Sequence, residues 1–286
     1  MKPYLFENIH CPYCNQKFDY QPDNYAIVCV NCSQEIPLDD GVPVFTSHPE
    51  GMIPSEKLVR GPDVGTPWRK ANWKYLEDQV SSLDQDALIL DVGAGRGDFS
   101  LAFTHHKYIA LDIFPYPEID IVCDLTQINP FDMESIDVIV LMNVLEHVYE
   151  TDELISTLVK MLKSNGILII AIPFLVKLHQ EPIDYVRYTH YALTRLANNY
   201  GLDVVSLQGY YDPIFFLEEG IGNIRNAILP SLNRTKRYLA KVITGGIQLS
   251  TSLLQKIIGE GNSLSPSKVR SKAPTGYQAV FRKAVK

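Results

Sequence analysis

Four of the five cysteines lie close to the N-terminus in two Cx2C pairs. Cys11 and Cys14 form the first pair, and Cys29 and Cys32 form the second pair after fourteen intervening residues. Each Cx2C pair turns two thiolates toward one ion, and four thiolates make a closed tetrahedral site. Because the first residues lack the basic and apolar regions of a signal peptide, the spacing favours metal over disulfides. We therefore predict a structural Zn²⁺ held by these four cysteines.

A glycine-rich stretch, ILDVGAGRGDFS, is the second motif whose residues can do chemistry. No GK[ST] follows the glycines, which excludes the phosphate loop of nucleoside triphosphatases. The dinucleotide fingerprint GxGxxG requires a glycine where this sequence has Asp98. The carboxylate of Asp91 would repel a pyrophosphate, and it suits a ligand with a cationic amino group. S-adenosylmethionine (SAM) carries such an ammonium group and no phosphate.

DVGAGRGD resembles the first motif of class I SAM-dependent methyltransferases, of the methyltransferase type 11-like group. The following strands add acids at positions that suit this ligand. Asp112 is placed to accept hydrogen bonds from the ribose hydroxyls, and Asp124 from the adenine amino group. The predicted cofactor-binding residues are Asp91, Gly93, Ala94, Gly95, Gly97, Asp112, Ile113, Asp124, Leu125 and Asn143.

A polar and aromatic segment follows the fifth predicted strand, at the edge where ligands bind in open α/β sheets. This segment, residues 173–193, resembles the exit loop beside the acceptor pocket in SAM methyltransferases of bacterial glycan and secondary-metabolite gene clusters. We predict catalytic roles for His179, Asp184 and His147, with His179 as general base for a hydroxyl acceptor and Asp184 assisting an imidazole. The predicted substrate-binding residues are Tyr185, Arg187 and Tyr188. The alternative is a lid whose polar groups only hold its own shape.

Strands and helices that alternate along the chain must position these residues. A helix from Pro67 to Leu83, with Trp68, Tyr75 and Leu76 on its buried side, precedes the strand that ends in the glycine loop. The alternation predicts an α/β fold with a doubly wound, Rossmann-like, seven-stranded methyltransferase sheet, a small N-terminal zinc ribbon and a helical insert before the last strand. The resemblance implies that the last strand, in TGYQAVFRKA, is antiparallel between the fifth and sixth strands.

The predicted organisation is a zinc ribbon at 1–50, a linker at 51–67 and a SAM-dependent methyltransferase domain at 68–286. Residues 6–46 resemble small zinc-ribbon proteins related to methyltransferase activators, which implies a docking or substrate-presenting module. Because four thiolates suffice for zinc, we expect His10 and His48 at the surface.

The insert, at about residues 211–274, has apolar residues at helical spacing. We predict two or three helices, broken at Pro230 and at Gly245–Gly246, followed by a flexible basic loop at 261–274. Twelve of the 26 basic residues and only one of the 33 acidic residues lie between 221 and 286. Basic amphipathic helices lie on anionic membranes, cover active sites or bind RNA phosphates, and the sequence leaves these three roles open.

We expect a SAM-dependent methyltransferase that acts on a small-molecule, glycan or lipid-linked acceptor by O-methylation. One alternative is an RNA methyltransferase whose zinc ribbon recognises the substrate, although residues 6–50 contain one lysine and no arginine. The other alternative is a non-catalytic SAM-binding scaffold. Because no apolar stretch of about 18 residues is present, we expect no spanning helix and a cytoplasmic protein, and peripheral membrane contact by the insert is one of the roles left open.

Overall fold

The structure is a computed structural model that describes residues 2–20, 25–47, 61–211, 213–258, 262–264 and 274–285. Most of the predicted linker, His48 and most of the predicted basic loop lie outside these residues.

The N-terminal module consists of one short helix and a four-stranded antiparallel sheet. Its elements are α1 (Pro3–Glu7), β1 (Phe18–Asp19), β2 (Ala26–Cys29), β3 (Glu35–Asp39) and β4 (Val42–Pro43). Asn15 and Ser33 have positive φ angles just after the two Cx2C pairs. These tight turns bring each pair's thiols to the same side.

The strands of the large sheet alternate with helices along the chain. Its elements are α2 (Pro67–Val80), β5 (Leu88–Val92), β6 (Lys107–Asp112), β7 (Ile121–Val122), β8 (Ile136–Met142), α3 (Thr151–Met161), β9 (Leu162–Pro173), α4 (His190–Asn199), β10 (Leu202–Tyr211), α5 (Pro213–Asn223), α6 (Arg234–Ile258), β11 (Asn262–Leu264) and β12 (Gly276–Lys283). Thr189 caps α4 by accepting a hydrogen bond from the Ala192 amide.

The strand order is β11-β10-β12-β9-β8-β5-β6-β7. Strands β5 to β9 are parallel, and β12 is antiparallel to both of its neighbours, β9 and β10. This arrangement confirms the predicted doubly wound sheet and the position of its last strand. The short strand β11 adds an eighth strand at one edge.

Helices cover both faces of the sheet, so the residues that point to either side of its central strands are buried. On β5, Ile89 packs with Trp73 and Leu76 of α2, whereas Leu88 and Leu90 pack on the face that α3 and α4 cover. In α2, Tyr75 and Leu76 are buried as predicted and Trp68 is half-buried. The resulting core holds the carboxyl ends of the parallel strands at one edge.

Two local predictions were wrong. The alternation of strands with helices predicts a helix after the glycine loop, but the chain forms only a short 3-10 turn there, Ser100–Phe103, because β6 already begins at Lys107. The helix α6 runs through Gly245 and Gly246 without a break. A glycine inside a helix costs about 1 kcal/mol but can still adopt helical backbone angles. The predicted break at Pro230 does occur, because proline lacks the amide hydrogen that an α-helix needs.

The N-terminal module packs against the β7 edge of the sheet. Val44 pairs with Val122, Ile9 pairs with Phe131, and the Phe45 amide donates to the Val122 carbonyl. His10, expected at the surface, is 8% exposed and its Nδ1 lies 3.0 Å from an Asp132 carboxylate oxygen. That prediction was wrong because the sequence does not show that Asp132 comes to this position.

Candidate active site

The glycine loop lies at the carboxyl end of β5 and needs its glycines for geometric reasons. Gly93, Gly95 and Gly97 all have φ between +56° and +73°, a region that strains residues with a side chain. A Cβ on Gly93 would lie 2.5 Å from a Val144 methyl, whereas a Cβ on Gly95 would meet nothing within 4 Å. Gly95 therefore presents its backbone to open space, which a ligand can approach closely.

Asp91, at the base of this loop, is almost completely buried. One of its carboxylate oxygens accepts a 2.8 Å hydrogen bond from the Tyr108 hydroxyl, and the side chain borders the cavity that contains Gly93 and Gly95. Burial raises the pKa of Asp91 to about 7, an effect that the Tyr108 hydrogen bond reduces and the charge of Asp112 increases. A buried carboxylate of this kind gains a favourable partner when a ligand ammonium enters.

Asp112 anchors the other side of the loop. Its two carboxylate oxygens accept hydrogen bonds from the backbone amides of Gly95, at 2.9 Å, and Phe114, at 3.0 Å. Each oxygen keeps a lone pair for a further donor. Burial raises the pKa of this carboxyl group, while the backbone donors oppose that shift.

A cavity of about 230 Å³ opens between Asp112 and the ends of β6, β7 and β8. It is lined by predicted cofactor residues: Gly93, Gly95, Asp112, Ile113, Asp124, Leu125 and Asn143. Ala94 and Gly97 lie in the same loop, and Ala94 lines the adjoining cavity. Asp124 already accepts hydrogen bonds from Thr126 and from the Gln127 side chain, so a role toward adenine would share this carboxylate with its own turn.

Asn143 joins this cavity to a second cavity of about 600 Å³. Its side-chain oxygen accepts a 2.9 Å hydrogen bond from the indole Nε1 of Trp68. Trp68 also lies against Tyr210, and a Cβ on Gly276 would come within 2.6 Å of the indole. The sequence signalled Trp68 only as a helix residue, whereas the structure places it in the wall of the site.

Of the predicted catalytic residues, His179 borders the second cavity and His147 borders the first. Glu146 also lines the second cavity. The rings of His147 and His179 meet edge to face at 4.8 Å between centroids. His147 Nδ1 donates to the Ile183 carbonyl at 2.6 Å, so its Nε2 carries the free lone pair. Burial lowers the pKa of His147.

Glu146, which precedes His147 in the turn after β8, is 0% exposed. Neither of its carboxylate oxygens has a hydrogen-bond partner among the described residues. Burial raises the pKa of this carboxyl group to about 8. A buried carboxylate without a partner is costly, and such groups concentrate at functional sites.

Asp184 holds the exit segment in place. It accepts two hydrogen bonds from the Arg187 guanidinium, at 2.5 and 2.7 Å, and one from the His179 amide at 2.9 Å. His179 Nδ1 lies 3.2 Å from the same carboxylate. The Arg187 hydrogen bonds hold the pKa of Asp184 well below its usual range. Asp184 is therefore an ionised group that orients His179.

The predicted substrate residues occupy different surroundings. Arg187 is committed to Asp184, and the Tyr188 hydroxyl donates to Thr151. Tyr185 is 47% exposed and lies against Tyr149. These contacts favour positioning roles for Arg187 and Tyr188 and leave Tyr185 accessible to an acceptor.

The four N-terminal cysteine sulfurs converge as the spacing predicted. The Cys14–Cys29, Cys14–Cys32 and Cys11–Cys32 sulfur pairs are separated by 3.3, 3.5 and 3.6 Å. A tetrahedral zinc with bonds of about 2.3 Å places its sulfurs about 3.8 Å apart. The donor set therefore fits a closed structural zinc site.

Residues 90–170 match the family described as a methyltransferase domain. The N-terminal segment is 34% identical over 53 residues to a UPF0434 protein of Photorhabdus laumondii, a match that covers 90% of that protein and 18% of this chain. A UPF0434 protein of Methylobacillus flagellatus is 29% identical over 55 residues and is covered to 92%. The chain carries a methyltransferase domain and is a SAM-dependent methyltransferase, and its N-terminal segment belongs to the UPF0434 proteins.

Solved structures of this methyltransferase fold are similar only at low sequence identity. A SAM-dependent methyltransferase from Archaeoglobus fulgidus is 17% identical with a TM-score of 0.47, and the match covers 77% of this chain and 95% of that one. Phosphoethanolamine N-methyltransferase 2 of Haemonchus contortus is 15% identical with a TM-score of 0.44, and 75% and 53% of the two chains are covered.

SAM is the cofactor of this methyltransferase, and the four ribbon cysteines are the residues that would hold a structural zinc. The site fits SAM because the open face of Gly95, the carboxylate of Asp112 and the buried carboxylate of Asp91 border connected cavities. Among the described residues, no helix is long and apolar enough to cross a membrane.

Proposed function

We propose that this methyltransferase O-methylates a hydroxyl group of a small-molecule, glycan or lipid-linked acceptor. The observation that carries the proposal is the position of His179, which lines the same cavity as Asp91 and Gly95. SAM supplies an electrophilic methyl group on a sulfonium. The chain's own residues then have to hold the acceptor oxygen near that methyl group and take up its proton.

His179 is the proposed general base. Its side chain is 31% exposed, so an acceptor can reach the imidazole, and Asp184 lies beside its Nδ1. An ionised carboxylate at Nδ1 fixes the tautomer in which Nε2 carries a lone pair, and it stabilises the imidazolium that forms. The ring of His147 packs edge to face against the imidazole of His179 and limits its rotation. A nitrogen acceptor would depend less on a general base, so the pairing of His179 with Asp184 leads us to favour a hydroxyl acceptor.

The insert supports a lipid-linked acceptor. Its helix α6 exposes apolar side chains on the described surface: Tyr238, Leu239, Val242, Ile243, Ile247, Leu249, Leu253, Leu254 and Ile257. Arg234, Lys236, Arg237 and Lys241 begin the same helix. Such a basic amphipathic helix suits an anionic membrane surface. By contrast, Lys17, the one lysine among residues 6–50, pairs with Asp132 at 2.6 Å, which disfavours RNA recognition by this module.

The proposal is tested by incubating the purified protein with methyl-labelled SAM and cell extract. Label is then counted in organic, small-solute, RNA and protein fractions, and we expect it in the organic or small-solute fraction. His179→Ala should lower turnover by about 10²–10⁴-fold and leave S-adenosylhomocysteine affinity unchanged. His105→Ala, at an exposed histidine, is the matched control.

Other results would point elsewhere. Label in RNA would support the RNA methyltransferase alternative, and label in no fraction despite cofactor binding would support the scaffold alternative. Full turnover by His179→Ala would exclude the histidine as the base.

A further inference from the structure

Three side chains with metal-ligating atoms converge beside the glycine loop. The ligand atoms of Glu146, His147 and His179 all lie within 4.8 Å of one another. One carboxylate oxygen of Glu146 lies 3.7 Å from His147 Nε2 and 3.9 Å from His179 Nε2. These separations are too long for hydrogen bonds, so the three groups face one another without bonding.

The separations suit an ion between the three groups. Metal bonds of about 2.1 Å to nitrogen and oxygen place neighbouring ligand atoms about 3.0 to 3.6 Å apart. The two Glu146 distances exceed this range by only a few tenths of an ångström, and the two histidine ligand atoms lie within 4.8 Å of each other, so rotation of the partly exposed His179 side chain would have to close the site. Glu146 is 0% exposed with both oxygens unpartnered, and His147 Nε2 is also buried and unpartnered among the described residues.

The opposite side of each imidazole is held as metal-binding histidines are held. Such histidines donate their second ring nitrogen to a carbonyl or carboxylate, which fixes the tautomer and the ring orientation. His147 Nδ1 donates to the Ile183 carbonyl. His179 Nδ1 lies 3.2 Å from Asp184 and 3.3 Å from the Lys177 carbonyl. Both Nε2 atoms are therefore left with lone pairs on the Glu146 side.

We propose that Glu146, His147 and His179 bind a divalent transition-metal ion through one carboxylate and two Nε2 atoms. Two histidines and one carboxylate are a ligand set for such ions, and three protein ligands leave positions open for a substrate. His179 is partly exposed and lines the cavity of the glycine loop, which gives the ion an entry path.

This inference rests on the proposed O-methylation, and in it the ion replaces His179 as the group that activates the acceptor hydroxyl. An ion held by these three residues would lower the pKa of an acceptor hydroxyl beside it, and the proton would pass to water. The oxygen then forms a bond to the methyl carbon while the carbon–sulfur bond breaks, and that electron pair stays on sulfur. In this form His179 is a ligand, and Asp184 is a positioning residue behind it.

The test is a Co²⁺ titration of the full-length protein with its ribbon zinc in place, followed by calorimetry and absorption. We expect one bound Co²⁺ per chain without sulfur-to-cobalt charge-transfer bands, since this site has no thiolate. Glu146→Gln and His179→Asn should each weaken Co²⁺ binding at least tenfold. His105→Asn should bind as the wild type does.

Thermal unfolding and S-adenosylhomocysteine binding establish that each variant is folded. If Glu146→Gln does not fold, the partly exposed His179→Asn carries the test. The inference is overturned if wild-type protein binds no Co²⁺ beyond the ribbon, or if the folded variants bind it as tightly. Hydroxyl methylation without Co²⁺ binding would sink only this inference, whereas Co²⁺ binding without any hydroxyl product would sink the proposed function.

Discussion

At the scale of single residues, the site depends on acids held in different environments. Asp91 is buried against Tyr108, Asp112 is braced by backbone amides, and Asp184 is paired with Arg187. Burial raises the pKa of the first two, while hydrogen bonds from Arg187 lower the pKa of the third. Their positions at strand ends and in the exit segment were predicted from the sequence, but their surroundings were not.

The pKa of Asp91 predicts a pH-dependent cofactor affinity. The ligand ammonium favours the carboxylate, whereas the free protein takes up a proton on Asp91 as the pH falls through about 7. S-adenosylhomocysteine binding should therefore weaken by about tenfold per pH unit below 7. Calorimetry between pH 5.5 and 7.5 measures this trend. Asp91→Asn should bind more weakly with a flatter profile, and the exposed Asp203→Asn should keep the wild-type profile.

Two glycines of the loop offer a matched pair of substitutions. Gly95→Ala adds a methyl group to open space at a φ of +56°, so it should cost about 1–2 kcal/mol of stability and block the cofactor. Gly93→Ala also collides with Val144, so it should destabilise the protein more. Thermal unfolding and cofactor titration separate the two effects. Equal stability losses would contradict the contact with Val144.

At the scale of elements, the exit segment is fixed to the strand end that it covers. The amides of Tyr185 and Val186 donate to the Glu146 carbonyl, and His147 donates to the Ile183 carbonyl. The sequence predicted that this segment borders the site because it follows a parallel strand. The contacts to Glu146 arise from a turn about 40 residues earlier, which periodicity does not reveal.

The basic and apolar side chains of α6 predict binding to anionic membranes. If these side chains contact anionic lipid, the protein should sediment with anionic vesicles and less with neutral ones. Lys236→Glu with Lys241→Glu should weaken binding by at least tenfold, because each basic residue contributes about 1 kcal/mol. Lys160→Glu, on α3, is the control for a charge change elsewhere. Equal sedimentation with both vesicle types would argue against the electrostatic contact.

At the scale of the whole molecule, the zinc ribbon and the sheet share one hydrophobic core. Leu5, Ile9, Phe18 and Ile27 of the ribbon pack in the same cluster as Ile121 of β7. Lys2 adds hydrogen bonds to Asp120 and to the Tyr108 carbonyl. The ribbon therefore stabilises β7, which precedes the predicted cofactor residues Asp124 and Leu125.

Zinc removal should consequently destabilise the whole chain. Cys32→Ser removes a ligand from an exposed position with little change in packing, so it should lower zinc content and the melting temperature by several degrees. The protein should still unfold in one transition, because the ribbon and sheet share a core. The exposed Asn31→Ser is the control. An unchanged melting temperature after zinc loss would show that the ribbon does not stabilise the sheet.

The sequence by itself determined the elements whose signals are local. Cx2C spacing, the glycine loop after an apolar run and acids at strand ends depend on neighbouring residues, so the fold and the cofactor could be predicted from them. Only the tertiary structure decided the burial of His10 by Asp132, the bond from Trp68 to Asn143 and the convergence of Glu146 with two histidines. Most of these residues lie far apart along the chain. Their side chains meet only because the folded sheet brings its strand ends and the following loops together.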